Sequence, residues 1–125
     1  MATSTIHISG GPIGHFRFVQ FTDTHIQKEL KADEGVAKCF EQIAELKPDF
    51  CLCGGDLVFD VLAVGKPRAK QLFDMYVEAA KRLDCPVYSS PGNHDHFGVV
   101  EQSTVSPADP EYGRKMFEDR IGPLY

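Results

Sequence analysis

Apolar positions change their spacing several times along the chain, and each change marks an element. Residues 4–9 alternate polar and apolar, which predicts a short strand, and Gly10, Gly11 and Pro12 then form a turn. Residues 16–22 predict a longer strand ending at Asp23. From about Asp33 to Leu46, Val36, Phe40, Ile43 and Ala44 recur at spacings of three and four, the period of a helix with one apolar face. Lys47 and Pro48 stop it. Asp49 to Cys53 reads as a short apolar strand running into Gly54, Gly55 and Asp56. Leu57 to Pro67 reads as loop. A second helix is expected from about Arg68 to Leu83, with Ala69, Leu72, Phe73, Tyr76, Ala80 and Leu83 as its stripe. Cys85 to Ser89 predicts the next strand. Beyond Asp95 the chain reads as loop to Asp109. There Asp109 suits an N-cap, Pro110 a first helical residue and Gly122 a stop, with Tyr112, Met116 and Phe117 facing inward.

Strand, helix, strand, helix, strand is the order of a parallel sheet with crossover helices, so the fold class is α/β. In such sheets, sites gather at the carboxyl ends of the strands. Three polar stretches fall there: Asp23–Thr24–His25, Gly55–Asp56 and Gly92–Asn93–His94–Asp95. Carboxylate, imidazole and amide groups are costly to bury without partners, so a shared charged ligand gives their recurrence a reason.

Composition narrows the function classes. The chain has 125 residues, 42% hydrophobic and 25% charged, which fits one folded domain. A net charge of −5 argues against duplex nucleic acid as a partner, because backbone phosphates call for a basic face. It is compatible with small phosphorylated substrates if a metal supplies the positive charge. No apolar run approaches the roughly 20 residues that cross a bilayer. The first residues lack the basic and apolar regions of a signal peptide, so a reducing, cytoplasmic location is expected. Cys39, Cys51, Cys53 and Cys85 are then expected as free thiols. Cys51 and Cys53 would face the same side of a strand and pack in the core; the alternative, a soft-metal pair, lacks a Cys-x-x-Cys spacing.

Asp23 and His25, one residue apart in an extended segment, would point the same way and share a cation. Carboxylate with imidazole suits Mn, Fe or Zn better than Ca. The two oxygens of Asp56 can bridge two ions, and Asn93 offers a carbonyl oxygen to the second. A pair of ions ~3.5–4 Å apart can activate water and clamp a phosphoryl group. His94 is better placed for substrate than for metal, and Asp95 is expected to orient its ring. His96 is expected to face solvent. His7, His15, Asp60 and Asp74 read as ordinary surface positions. Singly, Asp-x-His and Gly-Asp carry little information; together, in this order, they are specific.

These three motifs resemble the first half of the calcineurin-like metallophosphoesterase family over roughly residues 16–96. Phe21 to Ile26, Gly55 to Val58 and Pro91 to Asp95 bring to mind its cyclic-nucleotide phosphodiesterase-like branch. The resemblance implies the N-terminal half of a four-layer α-β-β-α sandwich. It also implies a binuclear centre of two metal ions (Mn, Fe, Zn or Co). Asp23 and His25 would bind the first metal, Asp56 would bridge, Asn93 would bind the second, and His94 would be catalytic with Asp95 behind it. The implied reaction is phosphomonoester or phosphodiester hydrolysis by metal-activated water. The family also uses histidines from its second half, and no histidine follows His96 here. Residues 1–125 are therefore expected to be a single partial domain, short of metal ligands and weakly active or inactive alone. One sheet face would be left uncovered and prone to self-association. A non-catalytic interaction module on a degenerate version of the same fold is the alternative.

Overall fold

The computed structural model describes residues 14–124, so the strand expected at residues 4–9, and His7 with it, lie outside the described residues. Three strands, β1 (Phe18–Phe21), β2 (Phe50–Cys53) and β3 (Val87–Ser89), form a parallel sheet in chain order. Phe18 pairs with Phe50, and Leu52 pairs with both Gln20 and Tyr88. Helix α1 (Ala32–Glu45) connects the first pair and α2 (Lys66–Ala80) the second. Successive crossovers of one hand place both helices on the same face of the sheet, where α1 packs on α2.

That inner face presents Val19, Phe21, Cys51, Cys53, Val87 and Ser89. Phe21 meets Phe40 of α1 at a ring separation of 5.2 Å, and Phe40 meets Tyr76 of α2 at 6.0 Å. The helical stripes read from the sequence supply this core: Val36, Phe40 and Ile43 from α1, and Ala69, Leu72, Phe73 and Tyr76 from α2, are all buried. On the opposite face Phe50 stacks on both Phe16 and Phe18, and Phe16 and Phe18 are about half exposed.

Helix boundaries follow local chemistry. α2 starts two residues earlier than predicted because Pro67 sits in its first turn, where its missing N–H is no loss. After α1, Lys47 takes a left-handed φ of 50° directly before Pro48. The last helix, α3 (Lys115–Arg120), starts later than Pro110. Asp109 caps a separate turn instead, accepting from the Glu111 amide at 2.9 Å. Gly113, at φ 68°, then turns the chain and pairs with Phe97. Met116 and Phe117 are buried as expected, and Tyr112 is half-buried. Asp60 and Asp74 are paired rather than merely solvated, the first with Arg68 at 3.5 Å and the second with Arg120.

Candidate metal centre

The segments after β1 and β2 run on together past the strand ends. The amides of Asp23, His25 and Ile26 donate to the carbonyls of Gly55, Asp56 and Leu57, each at 3.0 Å. A parallel bridge between Ile26 and Val58 completes the zipper. Within it, Asp23 (φ 56°), His25 (φ 41°) and Asp56 (φ 51°) are left-handed. The extended geometry expected for Asp23–Thr24–His25 is thus corrected: kinked backbone, not strand alternation, turns the two side chains toward each other. Such conformations each cost on the order of 1 kcal/mol or more in a non-glycine residue and concentrate at functional sites.

The third loop reaches this zipper through glycine. A Cβ on Gly92 would collide with the carboxylate and amide of Asp56, and one on Gly55 with the Gly92 backbone. Gly55 also has a φ of 106°, which favours glycine. The close approach lets the His94 amide donate to Asp56 Oδ1 at 2.9 Å.

Asp23, His25 and Asp56 each offer a ligand atom, and these atoms lie within 4.8 Å of one another. His25 Nε2 stands 3.5 Å from Asp23 Oδ1 and 3.9 Å from Asp56 Oδ2. Both separations are long for hydrogen bonds. They match donors around one cation, since bonds of about 2.0–2.2 Å place neighbouring ligand atoms roughly 3–4 Å apart. The ring's other nitrogen, Nδ1, is buried with no hydrogen-bond partner among the described residues, so the polar commitments of this imidazole lie toward the carboxylates. Thr22 Oγ1 donates to Asp23 Oδ2 at 2.6 Å and fixes that carboxylate. Two carboxylates and an imidazole form a donor set suited to Mn, Fe, Zn or Co.

The His94 ring lies edge-on to His25 with ring centres 4.6 Å apart. Its Nδ1 is held by the carbonyl of Phe59. A carbonyl only accepts, so Nδ1 carries the hydrogen and Nε2 is left for other partners. Asp95 does not orient this ring, and that expectation is corrected. The fully buried Asp95 carboxylate accepts from the amides of Leu57 (2.9 Å), Val58 (3.2 Å) and Gly92 (2.8 Å). Burial pushes its carboxyl up to about 6, against the three amides, which pull it down. Asp95 thereby ties the second loop to the third. Asn93 opens the same turn and is exposed, one residue from the amide that meets Asp56. His96 does not simply face solvent: it is half-buried and its Nδ1 donates to the Gly92 carbonyl at 2.7 Å. The Phe59 carbonyl and the Leu57 and Val58 amides were not legible as site components, because every residue type carries them. Thr22, beside Asp23 in the motif, was the one signal available.

Among the described residues, no helix is long and apolar enough to cross a membrane. No curated protein matches the chain. The calcineurin-like phosphoesterase family matches residues 16–123, a span covering all three strands, the ligand group and the His94 loop. The α/β arrangement corresponds to the N-terminal half of a metallophosphoesterase fold. The chain belongs to the calcineurin-like phosphoesterase family.

Proposed function

We propose that this site hydrolyses phosphate esters of small molecules with the help of divalent metal. The observation that carries the reading is the convergence of Asp23, His25 and Asp56 beside the His94 ring. A cooperating pair of ions would be held by Asp23 and His25 on one side and Asn93 on the other, with Asp56 between them. When bound, the metal supplies Lewis-acid charge and acidifies water. The residues of the chain do the rest. Asp56 presents Oδ2 to the triad while the His94 amide fixes Oδ1. His94, with its Nδ1 hydrogen committed to Phe59, meets substrate through Nε2. Protonated there, it donates to a phosphoryl or leaving oxygen. Asp95 is a positioning residue for the turn carrying Asn93 and His94. The motif resemblance to the cyclic-nucleotide branch makes a phosphodiester the first substrate to try. The exposed Phe16 and Phe18 suggest self-association through the outer sheet face. A scaffold reading leaves the convergence of the Asp23, His25 and Asp56 ligand atoms without a reason.

The test is calorimetric titration of the chain with Mn(II), beside hydrolysis of a nitrophenyl phosphodiester. Asp56→Asn is expected to weaken Mn(II) binding at least about tenfold with an unchanged circular dichroism spectrum. Equal binding by wild type and Asp56→Asn overturns the reading.

A further inference from the structure

A pair of free cysteines lies at the opposite ends of the strands. Cys51 Sγ and Cys85 Sγ are 3.6 Å apart. Cys51 is fully buried on the inner face of β2, whereas Cys85 is half-buried in the segment leading into β3. The Cys51 amide donates to the Pro86 carbonyl at 2.8 Å, so the ladder itself holds the two cysteines in neighbouring positions. A small cavity of about 160 Å³ opens onto Cys85 between Lys47, Pro48 and Asp84, and Cys51 does not line it. Access is therefore ordered: a reagent meets Cys85 first and Cys51 only through it.

We propose that Cys51 and Cys85 form a redox-active dithiol that a small-molecule disulfide, such as glutathione disulfide, converts to an intramolecular disulfide. In the first step the Cys85 thiolate attacks one glutathione sulfur, its S–S bond breaks, and one glutathione thiolate leaves. In the second, Cys51 loses its proton and attacks Cys85 Sγ. The protein disulfide forms and the second glutathione leaves as thiolate. Two protein thiols are oxidised, one glutathione disulfide is reduced to two thiols, and the two protons pass to the departing thiolates. Burial first, and then the contact with Cys85, push the Cys51 thiol up to about 12, and the cavity, which reaches Cys85 and not Cys51, sets the order of the two steps. Closure requires the sulfurs to approach from 3.6 Å to about 2.05 Å. Cys85 lies outside β3, two residues before Val87, whereas Cys51 is held within β2. The pair lies at the amino ends of β2 and β3, so oxidation leaves the donors at the carboxyl ends in place. This proposal does not depend on the phosphoesterase reading.

The experiment incubates the whole chain carrying Cys39→Ser, which removes the exposed thiol of α1, with glutathione disulfide. Peptide mapping without reductant then locates every linkage. The expected product lacks two hydrogen atoms, carries no glutathione, and joins the Cys51 and Cys85 peptides. Its unfolding midpoint is expected to rise by roughly 10 °C. Adding Cys51→Ala is expected to trap glutathione on Cys85. Stable glutathione on Cys85 with Cys51 still a thiol, or a linkage that includes Cys53 in place of Cys85, overturns the proposal. Mapping of the chain that retains Cys51 decides the matter even if Cys51→Ala does not fold.

Discussion

The core between sheet and helices and the rim at the strand ends are both buried at their centres, but by opposite means. In the core, Phe40, Phe73 and Leu72 are fully buried among other apolar side chains. At the rim, beside the buried Leu57 and Val58, a carboxylate is fully buried as well: that of Asp95, surrounded by three backbone amides. The core relies on helical spacing and volume. The rim relies on left-handed backbone and on hydrogen bonds between loops far apart in sequence. The core therefore tolerates change in proportion to volume lost, whereas the rim responds to single atoms.

Truncating the core gives the largest loss. Phe40→Ala is expected to cost about 3–5 kcal/mol of stability, read from urea unfolding, while the protein that remains folded binds Mn(II) as before. If its metal affinity fell in step with stability, the two regions would not be separable. Asp95→Asn removes almost no volume. Its one oxygen can still accept from Leu57 and Val58, but its NH₂ meets the Gly92 amide, donor against donor. A loss of about 1–3 kcal/mol is expected, accompanied by weaker metal binding. Lost stability with unchanged metal affinity would remove Asp95 from the site.

The smallest effect concerns an ion cluster outside both regions. Lys66 meets Asp109 at 2.8 Å and Glu111 at 3.1 Å, and Lys70 meets Glu111 at 3.3 Å. The Lys66 hydrogen bond lowers the Asp109 carboxyl; at Glu111 desolvation raises it, but bonds from Lys66 and Lys70 outweigh that. Carboxyls depressed by folding stabilise above their ordinary values, here 3.8 and 4.5, and lose that contribution as pH falls through the lower folded values. Lys66→Ala is expected to melt slightly below wild type at neutral pH. The two melting points should converge as pH drops well below 3.8. A gap that persists in acid would mean that Lys66 acts by packing.

Much of this plan was legible in the residues. The spacing of Val36, Phe40 and Ile43, and of Ala69, Leu72, Phe73 and Tyr76, located both helices and the face each buries. Strand–helix alternation then set Asp23, His25 and Asp56 at one end of the sheet, where their ligand atoms do converge. The means of convergence was hidden. Left-handed φ at Asp23 and His25 follows from the pairing with the second loop, and no local pattern announces it. Asp95 misled because its sequence neighbour is His94, while its partners Leu57 and Val58 lie 38 and 37 positions away. The start of α3 was misplaced because Asp109 and Pro110 serve equally well in a turn.

The backbone contact between Gly55, Asp56 and Gly92 has a consequence for how such a site is acquired or transplanted. The second and third loops occupy each other's missing side-chain space, so neither glycine is useful without the other. Moving the His94 loop onto another parallel sheet would fail unless that host already had glycine in the facing loop. The two loops act as one unit: a side chain at Gly92 would displace the Asp56 carboxylate, and one at Gly55 the backbone that carries the His94 turn.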